Sequence, residues 1–194
     1  MANEFYALLG RMRYITRWGL MRNSFSENIQ EHSHQVAVLA HALALIRRDV
    51  LGLPSPDPDT CAVVGLYHDA SETLTGDMPT PIKYYNSTIK NAYKQVEFIA
   101  NSRLLELLPE QLRIAYKPYL MEEDAQVAII VKAADKLAAY IKCVEEQKAG
   151  NTEFESAARQ TMAAMHAMER EELEWFISEC LPAFSQNLDD LGIM

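Results

Sequence analysis

Apolar residues recur at helical spacing along almost the entire chain. In the N-terminal segment they occupy every third or fourth position, at Phe5, Leu8, Leu9, Met12 and Ile15. That spacing puts side chains on one face of an α-helix. Comparable stripes predict helices at about residues 31–50, 59–74, 87–108, 109–120, 123–149 and 153–179. A β-branched run at residues 129–131 has the composition of a strand, but it has no second run to pair with. The pattern predicts an all-α fold.

Proline and glycine mark the boundaries between these stripes. Pro54, Pro56 and Pro58 interrupt the chain, because proline cannot continue a helix interior. Asp57 before Pro58 is typical of a helix N-cap followed by proline at the first helical position. No internal repeat, low-complexity tract or linker divides the 194 residues. We therefore predict one compact helical bundle, a single domain spanning residues 1–194.

The net charge limits the possible partners. The chain carries a formal charge of −9, with 27 acidic against 18 basic residues. Such a chain repels polyanions, so we expect no long nucleic acid as a partner. A single phosphate ester stays possible, because a metal ion and one or two arginines can reverse the local field.

The cysteines and the N-terminus indicate the compartment. Cys61, Cys143 and Cys180 are far apart and odd in number, which argues against a disulfide framework and fits a reducing compartment. The N-terminal residues lack the basic and then apolar pattern of a signal peptide. No apolar run reaches the roughly 20 residues that span a bilayer. We expect a cytoplasmic protein without a membrane segment.

Four polar residues stand where a helix would otherwise place core side chains: His32, His68, Asp69 and Asp135. Two imidazoles and two carboxylates suit one divalent cation, and this mixture of donors matches Mn, Fe, Co or Zn. Small residues surround Asp135, and an unpaired carboxylate is costly to bury there. The simpler alternatives are that Asp135 pairs with Lys132 or solvent, and that His68 and Asp69 form a surface pair. Ligands from three helices would place a metal site in the helical core and favour metal-assisted hydrolysis.

Helix geometry limits which histidines can act together. His34 lies two residues after His32, roughly 200° around a helix, so the two cannot easily bind one ion. His34 and His41 are seven residues apart and share a face, which makes them a rival pair. Spacing alone does not decide between these possibilities.

Glu72 is a candidate for catalysis rather than ligation. It lies four residues after His68, within the helix predicted at 59–74, and so should share its face. From there it can approach water beside the ion and handle its proton. Asp69 is the alternative group for that role, and the residues alone do not separate the two.

Short blocks around these residues match a known family. The matching stretches are Arg17-Trp18, Leu20-Met21-Arg22-Asn23, Glu27-Asn28, Glu31-His32-Ser33, Tyr67-His68-Asp69-Ala70-Ser71-Glu72, Leu74-Thr75-Gly76-Asp77, Pro79-Thr80-Pro81, Lys132-Ala133-Ala134-Asp135 and Ala139-Tyr140. With them the chain resembles the HD-domain phosphohydrolase superfamily, and more narrowly the bacterial HD-type 5′-deoxynucleotidases. It departs from the family pattern at Gly19, where we expect proline, and at His34, where we expect an apolar residue.

The resemblance implies that His32, rather than His34, joins His68, Asp69 and Asp135 in holding one divalent cation (Co, Mn, Zn or Fe). It also implies hydrolysis of deoxyribonucleoside 5′-monophosphates to deoxynucleoside and phosphate, by a homodimer. Two alternatives remain. One is an HD enzyme acting on a triphosphate, a cyclic nucleotide or an alarmone; the other is a non-catalytic helical module with a structural metal.

Further polar residues of the matching blocks are candidates for substrate binding. Arg17 is the expected phosphate clamp, since a guanidinium binds phosphate oxygens through paired hydrogen bonds. Trp18 is expected to pack on the sugar or base and to exclude a 2′-hydroxyl. Asp77, in a turn braced by proline, is expected to accept a hydrogen bond from the 3′-hydroxyl, with Thr75 beside it as a further contact.

Overall fold

The computed structural model describes residues 3–83 and 85–192, and the described part is built from helices. Residues 1, 2, 84, 193 and 194 of the predicted 1–194 domain lie outside the described residues. The α-helices are α1 Phe5–Leu9, α2 Ile29–Leu45, α3 Pro58–Tyr67, α4 Glu72–Thr75, α5 Thr80–Lys83, α6 Ser87–Glu106, α7 Glu110–Met121, α8 Ala125–Lys148, α9 Glu155–His166 and α10 Glu171–Glu179. Across these residues, β pairing is limited to an isolated antiparallel bridge between Thr16 and Asn28. The predicted all-α fold is confirmed.

The largest hydrophobic core lies where α2 packs against α3 and α8. α2 and α3 are in close contact at Gly65, where an added Cβ would come within 2.8 Å of the Cα of Ala37. Only glycine leaves room for this contact. His32 lies five residues before Ala37, and His68 lies three residues after Gly65. The close packing of the two helices therefore brings these two histidines together.

A second core fixes the turn that follows α3. It joins α1, α6 and α7 to that turn through buried side chains: Phe5, Ala70, Leu104, Leu108 and Leu120. Ala70 is fully buried in it. The turn carrying His68 and Asp69 is thus held from both sides, by α3 and by this second core.

The helix predicted at 59–74 is wrong in its second half. α3 ends at Tyr67, residues 68–71 form a turn, and α4 begins at Glu72. In the turn, the Ala70 N–H donates to the Tyr67 carbonyl at 2.9 Å and the Glu72 N–H donates to the Asp69 carbonyl at 3.0 Å. These tighter bonds replace helical ones. Glu72 therefore starts a new helix instead of sharing one helix face with the histidine four residues before it.

Two other boundaries differ from the predicted ones. α1 ends at Leu9, and the chain continues as a 3-10 turn at Gly10–Tyr14. The last helix, predicted at 153–179, is divided into α9 and α10. Glu169 lies between them with φ +51°, a left-handed conformation that cannot continue a right-handed helix.

The predicted cap at Asp57 is confirmed. Its carboxylate accepts the Thr60 N–H at 2.9 Å, and Pro58 follows it at the start of α3. This cap fixes the start of α3. It therefore helps to position the turn after α3, which carries His68 and Asp69. In the described part of the chain, none of the helices combines the length and the apolar character needed to cross a bilayer.

Candidate metal centre

His32 enters the site from the first turn of α2. A capping box fixes that turn: the Asn28 side chain accepts the Glu31 N–H at 3.0 Å, and the Glu31 carboxylate accepts the Asn28 N–H at 3.2 Å. His32 follows directly and is fully buried. Because the two hydrogen bonds of the capping box fix this turn, they also fix the backbone from which the His32 imidazole extends.

His68 and Asp69 enter from the turn after α3. Nδ1 of His68 lies 2.7 Å from the carbonyl oxygen of Gly65. A carbonyl can only accept, so Nδ1 carries the proton and donates it. The opposite nitrogen, Nε2, lies 3.1 Å from Oδ2 of Asp69 and is the ring atom left for a metal ion. This is the arrangement of a histidine prepared to act as a metal ligand.

The donor atoms of the predicted metal ligands converge. Oδ1 of Asp135, on α8, lies 3.1 Å from Nε2 of His32, and Oδ2 of Asp69 lies 3.6 Å from the same nitrogen. Ligand atoms of His32, His68 and Asp135 all lie within 4.8 Å of one another. We call these four residues, His32, His68, Asp69 and Asp135, the His–Asp cluster. Asp135 is 40% exposed, yet its hydrogen bond goes to an imidazole, not to the lysine of the simpler alternative.

The rival histidine pair lies apart from this cluster. His34 is exposed on α2. His41 is half-exposed, and its Nε2 lies 3.5 Å from a carboxylate oxygen of Asp59, which is itself largely exposed. The structure brings His32, and not His34, to His68.

The cluster fits a cation better than it fits internal hydrogen bonding. Nε2 of His68 is buried and is left without a hydrogen-bond partner within the described residues, although Oδ2 of Asp69 lies 3.1 Å away. Buried polar atoms nearly always have a partner. Imidazole nitrogens and carboxylate oxygens that converge on one point are what a shared metal ion requires, although His32 and Asp135 also bond to each other. The cluster can therefore hold a metal ion.

The carboxylates of the cluster attract positive charge. Burial disfavours a charged imidazole, but Asp69 and Asp135 raise the pKa of His68 to about 9. Burial likewise disfavours the two carboxylates, yet the neighbouring imidazoles hold the pKa of Asp69 and of Asp135 well below the usual range. His32 differs, because burial and the charge of Arg17 lower its pKa. Two ionised carboxylates thus favour a cation at this point.

Glu72 lies beside the cluster at the start of α4. It is only 5% exposed, and its Oε2 is buried with no hydrogen-bond partner among the described residues. Burial, together with the charges of Asp69 and Asp77, raises the pKa of its carboxyl group to about 9. Glu72 is therefore close enough to both carboxylates to feel their charge, while the converging donors come from other residues.

Thr75 and Asp77 stand on either side of Gly76, at the end of α4. Gly76 has φ +73°, a conformation that glycine adopts without strain. The Thr75 hydroxyl donates to the Gly76 carbonyl at 3.0 Å, so it holds its own turn. Asp77 is half-buried; burial raises the pKa of its carboxyl group, and the charge of Arg17 opposes that shift. Asp77 thus lies within the field of the same arginine as the cluster.

Arg17 and Trp18 lie in the segment that precedes α2. Nη1 of Arg17 lies 3.6 Å from Oδ2 of Asp69. Nε of Arg17 donates to Oε2 of Glu27 at 3.1 Å, and Nε1 of Trp18 donates to the same oxygen at 2.9 Å. The indole packs on Phe154 with 5.3 Å between ring centroids. The structure therefore brings Arg17 to the His–Asp cluster, with Trp18 beside it.

The sequence reasoning gave Glu27 no role in the site. A glutamate in a polar loop is usually solvated, yet Glu27 is 8% exposed and bonded to two neighbouring site residues. One signal was available. A buried indole N–H and a buried guanidinium both need an acceptor, and a glutamate ten residues after the arginine is of the right type.

A second buried group of charges, on α8, was also missed. Lys142 and Glu146 are 1% and 0% exposed, and their charged atoms lie 2.5 Å apart. Lys142 also donates to the Phe25 carbonyl at 2.7 Å. Glu146 also accepts the Ser24 N–H at 2.8 Å and the Asn151 side-chain amide at 2.8 Å. We call these residues the Lys142–Glu146 network; it binds the loop after Trp18 to α8.

Comparison with known proteins finds a matching family and similar folds. The family model described as 5′-deoxynucleotidase YfbR-like matches residues 4–184. A curated 5′-deoxynucleotidase from Erwinia tasmaniensis is 46% identical over 193 residues, covering 98% of this chain and 96% of that one. The crystal structure of an HD-domain phosphohydrolase from Listeria innocua aligns with a TM-score of 0.75 at 19% identity, covering 93% of this chain and 88% of that one.

A further solved structure is similar in fold. The cyanophage S-2L HD phosphohydrolase DatZ, bound to dA and one catalytic Zn²⁺ ion, aligns with a TM-score of 0.66 at 18% identity, covering 91% of this chain and 95% of that one. At these identities the two solved structures bear on the fold alone. The family model and the curated relative, however, extend over nearly the whole sequence. The chain therefore belongs to the YfbR-like 5′-deoxynucleotidase family of HD phosphohydrolases.

Proposed function

We propose that the protein hydrolyses deoxyribonucleoside 5′-monophosphates to deoxynucleoside and phosphate, using one divalent cation held by His32, His68, Asp69 and Asp135. The observation that carries the proposal is the convergence of donor atoms of His32, His68 and Asp135. Asp69 lies against both imidazoles, and the Arg17 guanidinium lies 3.6 Å from Asp69. A cation site next to an anion clamp is what a phosphate ester needs. Relatives curated as 5′-deoxynucleotidases support the choice of substrate.

The His–Asp cluster suits a cation with mixed nitrogen and oxygen ligands, and we assign it to Co, Mn, Zn or Fe. When bound, such a cation lowers the pKa of a water molecule and offsets negative charge on the phosphoryl group. His68 is oriented for ligation, since its Nδ1 donates to Gly65 and its Nε2 faces Asp69. Asp69 stays ionised, as a ligand must.

Arg17 is the residue that we assign to the substrate phosphate. Glu27 takes its Nε, so the terminal nitrogens remain for phosphate oxygens. Burial disfavours the guanidinium charge, but surrounding carboxylates, first of all Asp69, raise its pKa. Arg17 therefore offers a permanent positive charge beside the reacting phosphoryl group.

Glu72 is the group that we assign to the proton of the attacking water. Its buried Oε2 has no partner in the described part of the chain. Its pKa is raised to about 9, so without a cation the group holds a proton at neutral pH. Beside a bound cation the carboxylate form would be favoured, and it could then take up the proton of the water. Asp69, whose pKa is held low, suits ligation better than proton uptake. The proton taken by Glu72 is then available for the 5′-oxygen that departs when the P–O bond breaks.

The sugar would lie between Trp18 and the turn at Thr75 and Asp77. We propose that the Asp77 carboxylate accepts a hydrogen bond from the 3′-hydroxyl. The Thr75 hydroxyl, bonded to the Gly76 carbonyl, holds that turn and offers an oxygen to the substrate. The Trp18 indole, fixed by Glu27 and Phe154, would close the space that a 2′-hydroxyl requires.

We further propose that the protein acts as a homodimer on free nucleotides in the cytoplasm. Its formal charge of −9 disfavours polynucleotides while the local charge of Arg17 admits a single phosphate. Separated cysteines without a disulfide support a reducing compartment.

The proposed activity is tested by a substrate panel on metal-stripped protein, with each divalent ion added back in turn. The panel contains ribo- and deoxyribonucleoside 5′- and 3′-monophosphates, a triphosphate and a cyclic nucleotide. We expect turnover of the deoxyribonucleoside 5′-monophosphates with at least one of Co, Mn, Zn or Fe. Turnover confined to triphosphates or cyclic nucleotides would overturn the proposal.

The role of Asp77 is tested in the same assay. Asp77→Ala should lose hydrolysis of deoxynucleotides but keep hydrolysis of p-nitrophenyl phosphate, which has no sugar to bind. The parent protein on both substrates is the control. An equal loss on the two substrates would remove Asp77 from sugar binding.

A further inference from the structure

One oxygen atom of Glu27 holds two of the side chains assigned to the substrate. Oε2 accepts hydrogen bonds from Nε of Arg17 at 3.1 Å and from Nε1 of Trp18 at 2.9 Å. The side chains of Arg17 and Glu27 are 13% and 9% exposed. Both bonds are therefore largely shielded from water and assisted by charge. A single carboxylate oxygen limits the rotation of a guanidinium and of an indole at the same time.

The backbone of Glu27 holds the same segment. The Arg17 N–H donates to the Glu27 carbonyl at 2.9 Å, and the Ile29 N–H donates to the Ile15 carbonyl at 3.0 Å. Residues 15–17 and 27–29 thus form a short antiparallel pair. Glu27 also directly precedes the N-cap of α2, the helix that carries His32. The segment bearing Arg17 is therefore attached to the same rigid helix as a proposed metal ligand.

Trp18 is held in a strained backbone conformation. Its φ is +58°, in the left-handed region that a bulky residue rarely adopts. Its carbonyl accepts the Met21 N–H at 2.8 Å and the Asn23 side-chain amide at 3.3 Å. Strain of this kind persists where several contacts impose it, and it concentrates at functional sites. The bonds to Met21 and Asn23 hold the Trp18 backbone, whereas the bond to Glu27 holds the indole nitrogen.

We propose that Glu27 is a positioning residue, which turns Arg17 toward the phosphate and Trp18 toward the sugar and so sets the preference for deoxyribose over ribose. Because Glu27 uses Nε, the terminal nitrogens of Arg17 face the cluster, with Nη1 3.6 Å from Asp69. Without the carboxylate, the indole loses its polar anchor and can leave the space that a 2′-hydroxyl would fill. This inference rests on the proposed function.

The test compares kinetics on a deoxyribonucleoside 5′-monophosphate and on its ribonucleotide, using the metal-loaded parent, Glu27→Ala and Glu27→Gln. For Glu27→Ala we expect KM for the deoxynucleotide to rise about tenfold to a hundredfold, because two shielded charge-assisted bonds are lost. The ratio of kcat/KM between the two substrates should fall about tenfold. Glu27→Gln should lose less, since its amide oxygen still accepts both N–H groups.

Glu172→Ala is the matched control. Glu172 is also a buried glutamate that accepts from two side chains, Arg47 at 2.9 Å and Arg170 at 2.8 Å, and neither of them belongs to the proposed site. Its loss should lower Tm and leave the substrate ratio unchanged. A folded Glu27→Ala variant with the KM and the substrate ratio of the parent would overturn the role of Glu27.

Where Glu27→Ala does not fold, Trp18→Phe decides, because it removes the indole N–H. Glu27→Gln should then lower the substrate ratio in the parent but not in Trp18→Phe, where no indole N–H is left to hold. A fall of equal size in both backgrounds, or no fall in either, would overturn the inference. A parent protein that turns over no deoxynucleotide at all refutes the proposed function instead. The two failures are therefore distinguishable.

Discussion

Helix α8 contributes to two groups of buried charged residues. They differ in whether every buried polar atom has a hydrogen-bond partner. In the Lys142–Glu146 network, the ammonium and the carboxylate bond to each other and to the loop after Trp18. In the His–Asp cluster, which α8 enters through Asp135, Nε2 of His68 is buried without a hydrogen bond to any described residue. The first group is complete as it stands, whereas the second has donor atoms left over.

The difference separates a structural role from a chemical one. A buried charge pair whose bonds are all made resists the removal of either partner, because the other would be left unpaired. A buried polar atom without a partner costs stability and is retained where a ligand supplies the missing contact. Mutations in the two groups should therefore act on different properties: unfolding for Glu146 and Lys142, catalysis for Asp135 and its neighbours.

The largest expected effect is the loss of catalysis in Asp135→Ala. Removing a proposed metal ligand should lower kcat/KM for a deoxynucleotide by at least about a thousandfold, since metal ions contribute several kcal/mol to such reactions. In the presence of a chelator, its free energy of unfolding should differ from that of the parent by only about 1 kcal/mol, because one half-exposed hydrogen bond is lost. Both are measured on the same preparation, by steady-state kinetics and urea unfolding. An Asp135→Ala variant with the activity of the parent would contradict a catalytic role for the His–Asp cluster.

The next effect is the loss of stability in Glu146→Ala. It leaves the ammonium of Lys142 buried and unpaired, so the free energy of unfolding should fall by about 3–5 kcal/mol. The double variant Lys142→Met with Glu146→Leu should recover at least about half of that loss, since no charge remains buried. Urea unfolding measures both. A Glu146→Ala variant that unfolds like the parent but has lost catalysis would assign this pair to the chemical site.

The smallest effect is a change in acid stability. Burial disfavours the Glu146 carboxylate, but hydrogen bonds from Lys142, Asn151 and Ser24 lower its pKa from 4.5 to about 2. Between these two values the unfolded chain binds a proton that the folded one does not, so stability from Glu146 is complete above pH 4.5 and is lost as the pH falls toward 2. The difference in unfolding free energy between the parent and Glu146→Gln should shrink over this range. A difference that stays constant would contradict the assignment.

The spacing of apolar residues predicted the long helices correctly. It failed to predict where a turn interrupts a helix. α2, α6 and α8 lie close to their predicted positions. The helix predicted at 59–74 breaks because the turn after Tyr67 makes its own short hydrogen bonds and buries Ala70 in the second core. These contacts are tertiary, and no periodicity within the segment encodes them.

The sequence predicts those residues of the candidate site whose side chains are unusual at a core position of a helix. Histidines and aspartates at core positions indicate a metal site wherever they lie along the chain. Glu27 and Glu146 are conspicuous only through their partners. Glu27 bonds a side chain ten residues away, and Glu146 bonds a backbone N–H that is 122 residues away. A glutamate without a known neighbour resembles any solvated one, so the residues that hold the substrate segment emerge only from the fold.

The central claim is that the His–Asp cluster holds the catalytic cation, and a metal titration tests it most directly. Metal-stripped parent protein and Asp135→Ala are titrated with Mn²⁺ or Co²⁺ while hydrolysis of a deoxyribonucleoside 5′-monophosphate is followed. We predict that activity is absent at the start, returns in the parent and saturates at one ion per chain, and does not return in Asp135→Ala at the same metal concentration. Full activity of the parent before any metal is added, or equal recovery in the variant, would contradict the account.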